Sequence, residues 1–265
     1  MHTGTLHAPI GVFDAGIGSY GIVRTIRSHY PDQDILYLAD RASFPYGTKT
    51  KGELAASVSR AIAKLAEEGA AAVVLASNAP SVMVLDGIRD AQPVPVLGIY
   101  PPVKEALERS RSGQIAVLGV ESLVRSVEIR GYVEQLAGGR HVHLVNASAL
   151  VQLVEDGTFL SHPHAAGARV AAFMQKLRRA VAQLDVCTLS STHLPWLAPF
   201  FREAAPEVEF LDPADALMPL LHPYTSAGSG RTVCLATESP SLPLGDLQRM
   251  LDLLGVDLQP RLIHI

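Results

Sequence analysis

Short apolar runs alternate along this chain with longer segments of helical period, and this alternation limits the fold more than any other feature. Several runs are apolar throughout, which is typical of strands that are covered on both faces of a parallel sheet. The pattern predicts an α/β protein with parallel-type sheets. We predict strands at residues 10–14, 34–40, 71–77, 94–100, 114–120, 141–147, 185–191, 208–211 and 233–237.

The segments between the strands predict amphipathic helices and a division into two domains. In residues 52–69 and 168–184, apolar side chains recur every three or four positions. The Pro-Pro pair in "IYPPVKEAL" interrupts regular structure and a new strand–helix series follows it, so we place one crossing near Tyr100 and a second near Asp212-Pro213. We expect one α/β domain from residues 1–100 plus 213–265 and another from residues 101–212, related by a pseudo-twofold axis.

Composition excludes several classes of protein. The chain has 265 residues, of which 48% are hydrophobic, and a net charge of −4 without a basic block, so we expect a folded protein that does not bind nucleic acid. No apolar run approaches the roughly 20 residues that span a bilayer, and the first residues lack the regions of a signal peptide. We therefore expect a cytoplasmic protein without a membrane partner. Cys187 and Cys234 lie in apolar runs and are predicted to be buried, reduced thiols.

Polar residues follow several predicted strands at the point where each strand ends. They occur in "VFDAGIGSYG", "VVLASNAP" and "CTLSSTHLP", and Asp40 ends the second strand before "FPYGTKT". Ligands of open α/β sheets bind beyond the carboxyl ends of the strands. The sequence therefore predicts a ligand-binding cleft between the two halves of the chain.

The segment "GIGSYG", Gly16 to Gly21, has three interpretations. It has the form G-x-G-x-x-G after a strand, and Asp40 follows at the spacing of a dinucleotide-binding fingerprint. Against this, Asp14 would place a carboxylate where an anionic phosphate must lie. The glycines are equally compatible with a structural tight turn, or with a turn that presents Asp14 as a working carboxylate.

Five motifs resemble the glutamate racemase family, part of the aspartate/glutamate racemase superfamily, in the family's order and at its spacing. They are "IGVFDAGIGSYGIVRTI", "ILYLADRASFPYGTKT", "VVLASNAP", "LVQLVEDG" and "LSSTHLP", and the resemblance runs from about Ile10 to Asp212. It implies two α/β domains with the active site between them. It also implies an amino-acid racemase that works without a cofactor.

In that family one cysteine thiolate removes the α-proton of the amino acid and a second cysteine thiol returns a proton on the other face. The resemblance places these roles on Ser77 and Ser191. A serine hydroxyl is far less acidic than a thiol, so we expect no two-cysteine racemisation. The family's hydroxyl positions at Ala15, Ala79 and Leu123 are apolar as well, which favours natural divergence over an engineered inactive form. We expect the ligand to be a carboxylate or amino-acid-like compound less polar than glutamate.

Other groups of the family's site are retained. The resemblance implies that Asp14 and His193 assist proton transfer, and Pro45-Tyr46-Gly47 offers backbone donors to an anion at the start of a helix. Structural roles are also open: Asn78 as a left-handed turn residue and Glu155 as a solvated helix end. The candidate catalytic residues are Asp14, Ser77, Glu155, Ser191 and His193, and the candidate substrate-binding residues are Ala15, Pro45, Tyr46, Gly47, Asn78, Ala79, Leu123 and Thr192.

Several functions remain open from the sequence. The first is a racemase-like isomerase with an altered substrate or without activity; the second is a pseudoenzyme that binds or regulates; the third is a dinucleotide-binding enzyme. A serine nucleophile is a further option, because Ser191 and His193 would share one face of an extended segment, although the chain has no G-x-S-x-G elbow. The histidines of "HVH" and "HPH" lack partners at ligand spacing, so we expect no metal. The resemblance is compatible with a homodimer.

Overall fold

Two parallel sheets form the framework of the computed structural model, which describes residues 5–265. Met1–Gly4, on which the prediction about a signal peptide partly rests, lie outside the described residues. The strands are β1 Ile10–Asp14, β2 Ile35–Asp40, β3 Ala72–Leu75, β4 Val96–Gly98, β5 Ile115–Gly119, β6 Val142–Asn146, β7 Val186–Ser190, β8 Glu209–Leu211, β9 Thr232–Thr237 and β10 Arg261–Leu262.

The α-helices lie between these strands. They are α1 Tyr20–His29, α2 Lys51–Glu67, α3 Asn78–Pro80, α4 Asp86–Ile88, α5 Val103–Arg109, α6 Glu121–Arg125, α7 Val127–Ala137, α8 Ser148–Glu155, α9 Thr158–Ser161, α10 Pro163–Ala180, α11 Ala198–Ala204, α12 Pro213–Leu221 and α13 Leu244–Leu253. A π-helical turn at Ser81–Leu85 joins α3 to α4. No helix within residues 5–265 is long and apolar enough to cross a membrane.

The strand order is β10-β9-β2-β1-β3-β4 in one sheet and β6-β5-β7-β8 in the other, and all pairings are parallel. β1, β2, β5 and β7 are buried along their whole length, as their apolar sequences predict. The predicted α/β class with parallel sheets is confirmed. The first sheet takes its strands from both ends of the chain, and the second takes them all from the middle.

The nine predicted strands are all present, with ends that differ by no more than two residues. β10 was not predicted, because its two residues are exposed and carry no apolar pattern. The long helix predicted at residues 168–184 begins earlier, at Pro163, since proline at the first helical position is compatible with a helix start.

The carboxyl ends of β1 and β3 face the carboxyl ends of β5 and β7. This arrangement brings Asp14 and Ser77 from the first sheet opposite Ser191 and His193 from the second. Cys187 and Cys234 are buried and unpaired within strands, away from this edge. The fold therefore creates a cleft between the sheets in which neither thiol is present.

Candidate active site

A cavity of about 250 Å³ lies between the facing strand ends. Its lining includes all but two of the residues that the sequence singled out: Asp14, Ala15, Pro45, Tyr46, Gly47, Ser77, Asn78, Ala79, Ser191, Thr192 and His193. Neither lysine nor arginine lines it. Any anionic ligand must therefore be held by backbone N–H groups, hydroxyls and His193.

Leu123 was predicted to line the site, and the structure places it elsewhere. It is fully buried within the hydrophobic core of the second sheet, where its side chain lies against Gly119. Val120 and Ser122 line the cavity from the same segment. Leu123 is therefore a core residue rather than a substrate contact.

Glu155 does not line the cavity, but it acts on a residue that does. Its Oε1 accepts a short hydrogen bond from His193 Nε2 and a second from the backbone N–H of Ile17 at 3.0 Å. The Glu155 side chain is only 9% exposed, so the interpretation as a solvated helix end is wrong. Burial alone would lower the pKa of His193, but the adjacent Glu155 carboxylate outweighs it and raises that pKa above its usual value.

Asp14 is the buried carboxylate on the opposite wall. Burial raises its pKa to about 6, against smaller opposing effects from the His193 charge, the Ala15 backbone and a hydrogen bond with Ser77. Thr192 Oγ1 donates to Asp14 Oδ2 at 3.5 Å, across the two sheets. A carboxyl group with this pKa exchanges protons close to neutral pH.

The turn after β7 sets the position of His193. Ser190 ends the strand, and the chain turns at once, so His193 has helical rather than extended backbone angles before the 3-10 turn Leu194–Leu197. Ser191 Oγ lies 3.4 Å from His193 Nδ1. The expected proximity is present, but it arises from a turn and not from one face of an extended segment.

The glycines of "GIGSYG" have a direct structural reason. A Cβ atom on Gly16 would overlap Glu155 Oε1, and one on Gly18 would lie 2.7 Å from the His193 ring. The His193–Glu155 pair therefore fills the space beside these glycines, where a dinucleotide would need to place its pyrophosphate. Asp40, the expected ribose ligand, is fully buried and accepts hydrogen bonds from Tyr46 and Thr237.

Asn78 begins helix α3 and is not a left-handed turn residue. Its Nδ2 donates to the Ile99 carbonyl at 3.2 Å, and its buried Oδ1 has no hydrogen-bond partner. A buried oxygen without a donor costs roughly 1–3 kcal/mol.

The segment Pro45–Gly47 lines the cavity, though not as a helix start. Tyr46 opens a 3-10 turn, and helix α2 begins only at Lys51. A capping box between Thr50 and Glu53 satisfies donors of that helix terminus. Any anion contact from this segment must come from its own backbone, without the first turn of α2.

Sequence reasoning missed several lining residues. They are Gly16, Phe44, Pro80, Val120, Glu121, Ser122, Ser148, Val151 and Ser190. Ser148 was detectable by the strand-end rule, because it follows β6, whereas Phe44 and Val151 carry no such indication. Across residues 5–265, no group of three or more His, Cys, Asp and Glu side chains is placed to hold a metal ion.

Two parallel sheets meet at a cleft that Asp14 lines from one side and His193 from the other, and this arrangement defines a two-domain α/β protein with a cavity between its sheets. The family model for Asp/Glu/hydantoin racemases matches residues 20–221. A glutamate racemase from Brucella anthropi is 35% identical over 227 residues, which cover 82% of this chain and 79% of the relative. The chain belongs to the glutamate racemase family, within the Asp/Glu/hydantoin racemases.

Solved structures of glutamate racemases share this fold. A glutamate racemase isoform from Bacillus anthracis superposes with a TM-score of 0.82 at 20% identity, covering 98% of both chains. The glutamate racemase of Thermus thermophilus in complex with β-chloro-D-alanine gives a TM-score of 0.76 at 25% identity, covering 97% of both chains. The two-domain fold that the resemblance implied is therefore confirmed.

Proposed function

We propose that this protein is an acid–base isomerase for a small carboxylate or amino-acid-like ligand less polar than glutamate, and that it works without thiols and without a cofactor. The observation that carries the proposal is the pair Asp14 and His193 on opposite walls of one cavity, with a pKa of about 6 for Asp14 and a raised pKa for His193. Near neutral pH Asp14 is largely ionised and accepts a proton, while His193 beside Glu155 donates one.

The serines restrict which substrates such a site can use. Ser77 is hydrogen-bonded to Asp14, and Ser191 is close to His193, so each hydroxyl stands beside the group that would assist it. A hydroxyl is too weakly acidic to replace a thiolate as the base, so the carboxylate of Asp14 must act as the base. A carboxylate base requires a carbon acid with a more acidic C–H than that of an amino acid, such as the ring carbon of a hydantoin.

Solvent exchange tests this proposal directly. We would incubate the protein in D2O with D- and L-glutamate, D- and L-aspartate and 5-substituted hydantoins, and measure deuterium at the α-carbon by mass spectrometry. The expected result is exchange into the more acidic compounds and little into glutamate, with a loss of about 100-fold in Asp14→Asn. Asp90→Asn, an exposed carboxylate outside the cavity, is the matched control.

If no compound exchanges deuterium although calorimetry detects binding, the isomerase proposal is wrong. The pseudoenzyme alternative then takes its place. The replacement of both thiol positions by Ser77 and Ser191 is the observation that favours this alternative. The double variant Ser77→Cys plus Ser191→Cys then distinguishes the two, because a racemase site that has lost only its thiols should regain exchange with amino acids.

We also propose that the two sheets mark two domains, residues 1–100 plus 213–265 and residues 101–212. All strands of the six-stranded sheet fall in the first set and all strands of the four-stranded sheet in the second.

A further inference from the structure

Ser191, His193 and Glu155 form a continuous relay that the isomerase proposal does not require. Ser191 Oγ lies 3.4 Å from His193 Nδ1, and His193 Nε2 contacts Glu155 Oε1. Ser191 and His193 both line the cavity. A hydroxyl, an imidazole and a carboxylate in this order form the arrangement that activates a serine nucleophile.

Glu155 fixes the direction in which the imidazole works. Its Oε1 is held by the Ile17 backbone N–H at 3.0 Å, and both Glu155 and His193 are more than nine-tenths buried. In the neutral tautomer of His193 that carries its proton on Nε2, this N–H donates to Glu155. Nδ1 is then unprotonated and faces Ser191. Nδ1 is then able to accept the hydroxyl proton.

The neighbouring serines lack this arrangement. Ser190 is fully buried and its hydroxyl pairs with Thr188 at 2.7 Å, while Ser77 is hydrogen-bonded to the Asp14 carboxylate rather than to an imidazole. Outside the cavity, Ser161 Oγ lies 2.9 Å from His162 Nδ1, but both residues are exposed. Ser191 alone among these four combines an oriented imidazole with access to the cavity.

We propose that Ser191 is a nucleophile for acyl transfer from small oxygen esters bound in this cavity. Ser191 Oγ forms a bond to the ester carbonyl carbon as its proton passes to His193 Nδ1. The carbon–oxygen bond to the alcohol then breaks, and the alcohol leaves with the proton from Nδ1. Water attacks the acyl-serine with His193 again accepting and returning the proton, so that ester and water give acid and alcohol.

This activity is independent of proton transfer at carbon and depends in the opposite sense on the protonation of His193. The acyl transfer needs neutral His193, whereas the isomerase uses protonated His193 as its acid. The charged and titratable groups that face His193 are Glu155 from α8 and Asp14 from β1. The rate of serine acylation should therefore increase as pH rises through the pKa of His193.

A fluorophosphonate probe tests the proposal on the wild-type protein. We expect a single covalent adduct, located on Ser191 by peptide mass spectrometry, with loss of labelling in Ser191→Ala and labelling about 100-fold slower in His193→Ala. Ser161→Ala, which removes the exposed serine–histidine contact, should label like the wild type. An adduct on Ser161 or Ser77, or no adduct at all, would overturn the proposal, and this result does not depend on whether any variant folds.

Glu155 acts through His193 and is a positioning residue. Glu155→Gln should slow labelling by up to about 10⁴-fold, because the amide no longer holds the imidazole in the required tautomer. It should also move the midpoint of the pH–rate profile to lower pH, because removal of the carboxylate lowers the pKa of His193. A merely structural role would leave that midpoint unchanged. Hydrolysis of p-nitrophenyl acetate, with the same midpoint and the same dependence on Ser191, provides the second readout; hydrolysis that Ser191→Ala leaves intact would contradict the assignment.

Discussion

Burial of Asp14 lowers the stability of the folded protein and at the same time raises the pKa of the carboxyl group. Asp14 ends β1 where the strand meets the cavity and is only 5% exposed, and burial raises its pKa to about 6, well above the usual value for an aspartate. Burial penalises the ionised form, so the charge is maintained at neutral pH at the expense of the folded state. The same penalty brings the pKa close to the range in which a general base works.

Asp14→Asn is therefore expected to stabilise the protein in a pH-dependent manner. Below about pH 4, Asp14 is protonated in both folded and unfolded states and the substitution has little electrostatic effect. Between about pH 4 and pH 6, Asp14 is ionised in the unfolded state but still protonated in the folded state. The free energy of unfolding of the wild type therefore decreases over this range, whereas that of the variant does not, because asparagine is neutral in both states. At pH 7.5 the free energy of unfolding of the variant should exceed that of the wild type by up to about 3 kcal/mol.

Urea unfolding of both proteins at pH 4, 5, 6 and 7.5 measures this difference. Asp90→Asn, at an exposed position, serves as the control and should show no such dependence. A difference for Asp14→Asn that is the same at every pH would show that ionisation of Asp14 is not the cause.

Single residues were predicted from the sequence with uneven success, for physical reasons. Polar residues at or just after the carboxyl ends of parallel strands lie at a cleft whatever rotamer they adopt, and this places Asp14, Ser77 and His193 correctly. Leu123 was inferred from its position in the resemblance, but a leucine side chain gains more by entering the core than by lining a polar cleft, and it did so. The role of Glu155 depends on its contact with His193, which lies 38 residues further along the chain, and no local pattern encodes that contact.

At the scale of secondary-structure elements, the turn after β1 and the turn after β7 are fitted to each other. Trp196 Nε1 donates to the Gly18 carbonyl at 3.0 Å, and the His193 ring lies over the space where Gly18 has no side chain. The backbone of Gly18 lies outside the left-handed region, so its requirement for glycine is one of space alone. The glycine-rich turn thus holds the histidine of the facing sheet at the cavity wall.

Gly18→Ala should consequently destabilise the protein and displace His193. The added Cβ would lie 2.7 Å from the ring, and the ring is held by Glu155, so we expect a loss of about 1–3 kcal/mol in the free energy of unfolding. Gly131→Ala is the matched control, since no atom lies within 4 Å of its added Cβ in the interior of helix α7. The control should be neutral or gain up to about 1 kcal/mol.

Chemical denaturation of the two variants, together with the fluorophosphonate labelling rate, measures both effects. If Gly18→Ala were as stable as Gly131→Ala, the turn would accommodate the added methyl group without displacing His193. The inference that position 18 requires glycine for reasons of space would then be wrong.

The elements themselves were largely predictable because burial on both faces gives strands a continuous apolar sequence. What the sequence did not predict was the π-turn at Ser81–Leu85, which interrupts the helical segment between α3 and α4. The turn at Ser191 and Thr192 was likewise expected to be extended. In both places the chain bends to present groups to the cavity, and tertiary contacts override the local pattern.

At the scale of the whole molecule, one large hydrophobic cluster contains side chains of both sheets. It includes Ile10 and Val12 of β1 together with Ala116 and Leu118 of β5, and helix α8 contributes Leu153 to it. Buried polar contacts cross the same boundary, such as the bond from the Ile17 N–H to Glu155. Separating the domains would therefore expose apolar surface and break these bonds at the same time.

We expect the two domains to unfold in one cooperative transition, although multidomain proteins often do not. Trp196, the only tryptophan of the chain, reports on the boundary because its indole donates to Gly18 and Arg24 lies 5.1 Å from its ring centroid. Its fluorescence should shift to longer wavelength at the same urea concentration at which far-UV ellipticity is lost. A shift of the emission at lower urea, with ellipticity intact, would show that the domains part before either unfolds and that the shared cluster contributes less than its burial indicates.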